Sequence, residues 1–282
     1  MGSKGSSRHK KRLSAPTVYP IKRKHGKFSV RPHPTRFKME MSLPLGIVMR
    51  EILGYAKTLS EAKRILINKE VKVDGKVQTS YKFAIGPMDI LEIPKTEQYF
   101  RLTPYRGRRR VLLHPITQEE AQRKILRIKK KQTIKGGIFQ LTFHDGRNLR
   151  IHPEEEQKIP VTELSVKDSV LLNLEEKIIE DHYPFTVGNI ALIMGGHNIG
   201  IQGKIRDIET QTGQKTRTIT LETKEGEIKT VDTHIFIIGR DKPVIEIPIG
   251  PVEEAPKEPV KKTPEEPEEE TPEEEGDTTD ES

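Results

Sequence analysis

The 282 residues are enough for two or three small domains, and aromatics at 5% with no tryptophan argue against one large core. The formal net charge of +7 hides a segregation. Residues 1–38 carry twelve Lys or Arg and no acid, while residues 251–282 hold fourteen acids and three lysines, a net of −11 that leaves +18 on residues 1–250. A body that basic attracts polyanions, because each neutralised phosphate releases counterions. The absence of cysteine excludes disulfides, thiolate metal sites and cysteine nucleophiles. No apolar run approaches the ~18 residues of a membrane span, and the basic N-terminus lacks the apolar stretch of a secretory signal. The expected location is the cytoplasm.

Residues 1–41 are basic and punctuated by Pro16, Pro20, Pro32 and Pro34, with no helical or strand period. Such a segment is expected to order only on a phosphate-rich partner. Residues 42–105 predict a compact α+β unit. A helix is expected over residues 43–53, with Pro44 in its first turn. Thr58-Leu59-Ser60-Glu61 is a capping box, and the helix it opens places Ala62, Ile65 and Leu66 on one face. Ser60, Lys63, Arg64 and Asn68 fall away from that face. Asp74-Gly75 between alternating apolar residues predicts a hairpin, and a strand over residues 88–93 follows the Gly86-Pro87 turn.

Residues 106–180 open on Arg106-Gly107-Arg108-Arg109-Arg110. A charged helix is expected over residues 118–128, then short strands near residues 138–143, 149–151 and 169–174 forming a small central β domain. Residues 181–245 are glycine-punctuated, with five strand candidates sized for a small barrel. Beyond Pro248 the Pro, Glu, Lys and Thr composition predicts a disordered acidic tail that makes no contact with RNA. The expected fold class is therefore α+β and multidomain, divided at residues 1–41, 42–105, 106–180, 181–245 and 246–282.

The helix–turn–helix–hairpin of residues 42–93 resembles the α-L RNA-binding motif shared by the bacterial ribosomal protein four, some pseudouridine synthases and tyrosyl-tRNA synthetases. The resemblance rests on Thr58-Leu59-Ser60-Glu61-Ala62-Lys63-Arg64, the Val71–Gly75 hairpin and Gly86-Pro87-Met88-Asp89-Ile90. Lys69 stands where the motif usually has a glycine after the second helix. Residues 187–205, with Gly195, Gly196, Gly200 and Gly203, resemble the KOW motif of ribosomal and transcription-elongation proteins. The two motifs in this order, behind Arg8-His9-Lys10-Lys11-Arg12, resemble the archaeal and eukaryotic small-subunit ribosomal protein four. Thr142-Phe143-His144-Asp145-Gly146-Arg147 and Ile235-Phe236-Ile237-Ile238-Gly239 extend the resemblance along the chain. It implies an α-L domain, a central β domain, an SH3-like KOW barrel, and small-subunit ribosomal RNA and neighbouring ribosomal proteins as partners. The acidic tail departs from that pattern.

The RNA-contact candidates are Arg8, Lys10, Lys11, Arg12, Lys22, Arg23, Lys24, Arg31, Arg36 and Lys38 in the extension, and Ser60, Lys63, Arg64 and Lys72 in the α-L unit. Arg106, Arg108, Arg109 and Arg110 follow, then Gly195, Gly196, His197, Asn198 and Lys204. No catalytic residue, cofactor, metal, membrane or small-molecule substrate is expected. A pseudouridine synthase would need a catalytic Asp in an Arg-Leu-Asp setting, and Arg101-Leu102 is followed by Thr103. His114, His144, His152, His182, His197 and His234 lack ligand or base–nucleophile spacing. A KOW-bearing elongation factor would explain the barrel and leave the α-L unit and basic extension unexplained.

Overall fold

The computed structural model describes residues 9–34, 36–107, 109–152, 159–210, 216–223, 226–245 and 247. Arg8, Arg108 and the acidic tail lie outside them, so the expectations placed there have no structural counterpart. The chain is mostly strand with few, short helices. Three five-stranded antiparallel sheets follow one another along the sequence.

The first sheet is preceded by the two expected helices. Leu43–Pro44 pairs with Ala84–Ile85 as an extended step, so the first helix begins at Leu45 rather than at residue 43. Pro44, at φ −65° and ψ 137°, is the extended residue before the first turn. The run ends where the Leu53 N–H donates to the Val48 carbonyl at 3.0 Å. Thr58 and Glu61 then exchange the two bonds of the capping box, each 3.3 Å. Leu59–Ile67 follows, burying Ala62 and Leu66 with Ile65 partly covered. Asn68 closes this helix and Lys69 takes φ +61°. Asp74 and Gly75, at φ +51° and +75°, make the two-residue hairpin turn between Lys72–Val73 and Lys76–Val77. The sheet runs in the order 76–77, 72–73, 90–93, 98–104, 111–116.

The extension corrects an expectation. Residues 9–34 pack against the protein itself, with a short strand pair and buried apolar anchors. Lys10–Lys11 pairs with Phe28–Ser29, and Arg23 donates to the carbonyls of Leu13, Ala15 and Pro16. Ala15, Val18, Tyr19, Ile21 and Val30 are buried in the core of the first sheet. Periodicity failed as a signal because side-chain-to-backbone bonds, not a helix or a ladder, shape the segment. Its few apolar residues anchor it, each large one contributing about 1.5–3 kcal/mol.

The central sheet runs 148–151, 139–143, 123–133, 169–173, 179–183. The helix expected over residues 118–128 stops at Gln122, and Arg123–Thr133 is a strand. A second capping box, Thr117 with Glu120, starts that short helix. Beyond it, Ile125 packs into the core shared with the last sheet, while Leu126 and Ile128 pack into the core of the central sheet. Successive side chains thus serve opposite faces, a period of two that a helix cannot supply.

The last sheet runs 226–231, 218–223, 202–209, 190–193, 235–239, so all five expected strands are present. The expected closed barrel is not observed. The turn Asp232–His234 carries the chain from one edge strand to the other. Residues 226–231 pair only with 218–223, and no pairing joins the two edges among the described residues.

Charges stitch the three sheets together. The fully buried ammonium of Lys124 meets Asp89 at 2.6 Å, Asp74 at 2.9 Å and Asp145 at 3.3 Å. Arg36 and Arg147 close the cluster from its rim at 2.7 to 3.6 Å. Asp74 and Asp89 come from the first sheet, Lys124, Asp145 and Arg147 from the central one, and Arg36 from the extension. Between the central and last sheets, Arg127 donates to the carbonyls of Ile235 and Thr233 at 2.6 and 2.9 Å, and Lys167 pairs with Asp232. His144 lies at the same junction, edge-on to Phe37 and Phe236, its Nδ1 accepting the Arg127 N–H at 3.2 Å.

Three stability outcomes follow from this packing. Removing the amine with Lys124→Ala leaves three buried carboxylates against two rim guanidiniums. Denaturant unfolding should show a loss of about 3–5 kcal/mol. Lys69→Gly relieves the left-handed lysine and should raise stability by about 1 kcal/mol, read as a higher thermal midpoint. Burial, reinforced by Lys124, holds the His144 pKa down at about 3. Between that value and the ordinary histidine range the unfolded chain binds the extra proton, so this group's contribution falls as pH drops from about 6.5 toward 3. Denaturant midpoints measured across that window should fall less steeply for His144→Asn than for the wild type.

Candidate nucleic-acid interface

The outward surface of the helix Leu59–Ile67 is built locally. The capping box fixes the first turn, and the amphipathic period turns Ser60 and Arg64 to solvent. Glu61, bonded by the backbone N–H groups of Lys57 and Thr58, has its pKa lowered. Lys63 is half-buried because its ammonium lies over the Tyr81 ring, 4.7 Å from the centroid. Arg64 is the freer cation of the two and has no partner among the described residues.

The extension sorts its cations by use. Lys11, Lys22 and Lys24 are exposed. Arg12 donates to the Lys22 carbonyl at 3.0 Å, and Arg23 is tied to four carbonyls. Lys10 is half-buried in its strand pair, Arg31 is half-buried, and Lys38 is exposed. Arg36 points into the aspartate cluster. The structure therefore spends Arg23 and Arg36 on the fold, whereas the sequence placed them with the outward cations.

Lys72 sits on the hairpin opposite Glu92 in the sheet register. With Lys76, Arg147 and Lys177 it edges a cleft of about 710 Å³ between the hairpin and the central sheet. Glu92 and Glu175 share that cleft. The charges there are mixed.

The two loops singled out in the second half of the chain come together. Gly200 has φ +84°, and a Cβ on it would lie 2.7 Å from the Arg106 nitrogen and 2.8 Å from the Tyr105 carbonyl carbon. The glycine-rich loop therefore packs backbone to backbone on the start of the arginine loop. Tyr105 and Arg110 close that loop by an N–H to carbonyl bond of 2.9 Å. Arg106, Arg109 and Arg110 are exposed, as are Gly196 and His197, with Gly195 and Asn198 half-buried. Gly195 and Gly196 lie against the His234 ring. Lys204 is exposed on the following strand, opposite Glu222.

The three aspartates, whose oxygens lie within 4.8 Å of one another, are spaced as a metal would need. The Lys124 ammonium fills the centre of that group. Burial works to raise each carboxylate. At Asp74, Lys124 and Arg147 overcome it and pull the pKa to about 2, while at Asp89 burial prevails and holds it near 6. The same carboxylates raise the Lys124 pKa against its burial, so the amine stays charged. These residues escaped sequence reading. The available signal was a lysine at the head of the apolar run Ile125-Leu126, where a solvated charge is out of place.

Three family models match the chain: the RS4NT (NUC023) domain over residues 4–34, the S4 domain over residues 48–91 and the ribosomal family S4e over residues 96–179. The small ribosomal subunit protein eS4 of Ignicoccus hospitalis is 39% identical over 248 residues, covering 87% of this chain and 97% of the relative. The eS4 proteins of Aeropyrum pernix and Methanocaldococcus jannaschii are each 38% identical, covering 89% and 88% of this chain and 99% and 100% of theirs. The crystal structure of the 30S ribosomal protein S4e from Thermoplasma acidophilum superposes with a TM-score of 0.57 at 30% identity, covering 71% of this chain and 96% of that one.

Proposed function

The chain belongs to the ribosomal family S4e, and on that premise we propose that it holds small-subunit ribosomal RNA on a set of outward basic surfaces positioned by a rigid body. It is a structural constituent of the small ribosomal subunit, binds ribosomal RNA and acts in translation. Its place is the small subunit of the cytoplasmic ribosome. Its role is scaffolding rather than catalysis, with ribosomal RNA and neighbouring ribosomal proteins as partners and no small-molecule substrate.

The observation that carries the site reading is the exposed outward face of the helix Leu59–Ile67, where Ser60 in the first turn and Arg64 in the last stand clear of the core. A hydroxyl and a guanidinium on one solvent-facing helix surface suit phosphate. Lys72 flanks the same unit. The joined loops of Arg106–Arg110 and Gly195–Asn198 form a second surface, in which flexible backbone lets RNA approach closely and arginines neutralise it. Lys11, Lys22 and Lys24 on the docked extension form a third. In this reading residues 1–41 are an RNA-binding extension and residues 42–105 the α-L domain. The central β domain expected over residues 106–180 gives up strand 111–116 to the first sheet and runs on to Tyr183; the rest to residue 245 is a KOW module, and the acidic residues 246–282 are a tail that phosphate repels.

Arg64→Glu should reduce affinity for small-subunit ribosomal RNA more than tenfold, about 1.4 kcal/mol. Thermal unfolding should stay within about 0.5 kcal/mol of the wild type, because the side chain is exposed. Lys63→Glu should weaken binding too, and in addition lose its contact with Tyr81, worth about 0.5–1 kcal/mol. Equilibrium binding and denaturation of the same preparations check both. Normal RNA binding by the Arg64 variant would overturn the helix assignment.

A further inference from the structure

The central sheet is buried on one side and open on the other over its outer three strands. The rows Lys130–Thr142–Asn148 and Gln132–Gln140–Arg150 cross strands 123–133, 139–143 and 148–151 in register. The alternate rows, Lys131–Leu141–Leu149 and Thr133–Phe139–Ile151, occupy the opposite face, as a period of two requires. Leu141, Phe143 and Ile151 are buried in the central core there. Lys131 on that face spends its ammonium on the carbonyls of Val161 and Leu164, at 2.7 and 2.8 Å.

The open face is chemically uniform. It offers two cations, three amides and one hydroxyl, and among its six described residues there is no carboxylate. Lys130, Gln132, Asn148 and Arg150 are exposed, and Gln140 and Thr142 are half-buried. Thr142 donates to the Asn148 Oδ1 at 2.7 Å, which leaves the Asn148 N–H groups to an outside acceptor. Lys130, Gln132, Gln140 and Arg150 have no side-chain partner among the described residues. Lys129 and Lys135 add exposed charge beside the rows.

The outward side of the last sheet is different. There Lys204 stands opposite Glu222, Arg206 pairs with Glu227, and Lys229 reaches Glu209 at 3.7 Å. That is the mixed pattern of a face whose partner is water. A face of the same fold whose described residues are cations and neutral donors, with no carboxylate among them, is complementary to a polyanion.

From this contrast we infer that the open face of the central sheet is a further RNA-contact surface. Lys130 and Arg150 take phosphates, and the amides of Gln132, Gln140 and Asn148 take 2′-hydroxyls or the edges of unstacked bases. The strand spacing places the two cations roughly 10 Å apart across the sheet, so that they meet different phosphates. The inference rests on the ribosomal reading above and adds a surface that neither the α-L helix nor the joined loops supply.

The test uses the full-length protein with the double substitution Lys130→Glu and Arg150→Glu, titrated against protein-free small-subunit ribosomal RNA. Affinity should fall at least tenfold. The log–log salt slope should become shallower by about 1.5, because two phosphates are no longer neutralised at ~0.7–0.9 each. Unchanged affinity and slope would overturn the proposal. If the wild type bound this RNA and Arg64→Glu weakened it while the double variant bound normally, this proposal alone would fail. A wild type that did not bind would overturn the ribosomal reading with it. A photo-crosslinking residue at Gln140 in reconstituted subunits gives a second readout that does not depend on how well the charge-reversed variant folds. A crosslink to RNA supports the proposal, and a crosslink only to a protein assigns the face to an acidic protein partner instead.

Discussion

Lys124 is a charge with no access to water. An isolated ammonium in that position would cost several kcal/mol, and the three aspartates within 3.3 Å make it tolerable. The carboxylates in turn need more than one cation, and Arg36 and Arg147 supply the balance from the rim. Three positive and three negative groups therefore close on one another. Each of the contributing segments, the extension, the α-L hairpin and the central sheet, leaves the others uncompensated if it moves away. Such a cluster adds little net stability over well-packed apolar residues, but it penalises every arrangement that separates the partners. It specifies how the pieces of the chain sit together.

That specification matters for a protein that works by holding a large polyanion. The outward helix face, the joined loops and the docked extension lie on different elements. Settled relative positions lower the cost of binding one large partner, since any freedom left to the elements must be lost on association. The Lys124 cluster orders the first and central sheets. Arg127, Lys167 and His144 continue the same work between the central and last sheets. Gly200 does so between the last sheet and the arginine loop, by the absence of a side chain. Binding energy is then available for contacts rather than for assembly.

The chain divides its cations between two tasks. Lys124, Arg127, Arg36 and Arg23 satisfy carbonyls and carboxylates inside the protein. Lys11, Lys22, Lys24, Arg64, Lys130 and Arg150 are turned to solvent. Composition alone merges the two groups into a single basic total, and their partners in the fold separate them. A cation whose N–H groups are taken by carbonyls or carboxylates has fewer donors left for a phosphate, whereas an unpaired exposed one keeps its counterions until a polyanion displaces them.

The sequence by itself determined what depends on neighbours in the chain. The Thr58–Glu61 capping box, the Asp74-Gly75 turn, the exposure of Ser60 and Arg64, and the five strands of the last sheet are all local signals, and the structure contains each of them. The tertiary structure decided what depends on residues far apart. Asp74 was legible as a turn residue, but its second role needs Lys124, fifty positions away. Residues 123–128 carry a helix-compatible pattern, yet they extend because Ile125 and Leu126 serve two different cores. The extension looked unable to fold because its anchors, Val18, Tyr19 and Ile21, bury themselves in a core made by other segments. Arg23 and Arg36 looked like outward cations for the same reason. Local backbone preference is written in adjacent residues. The choice of which side chains leave water is made only when distant segments meet.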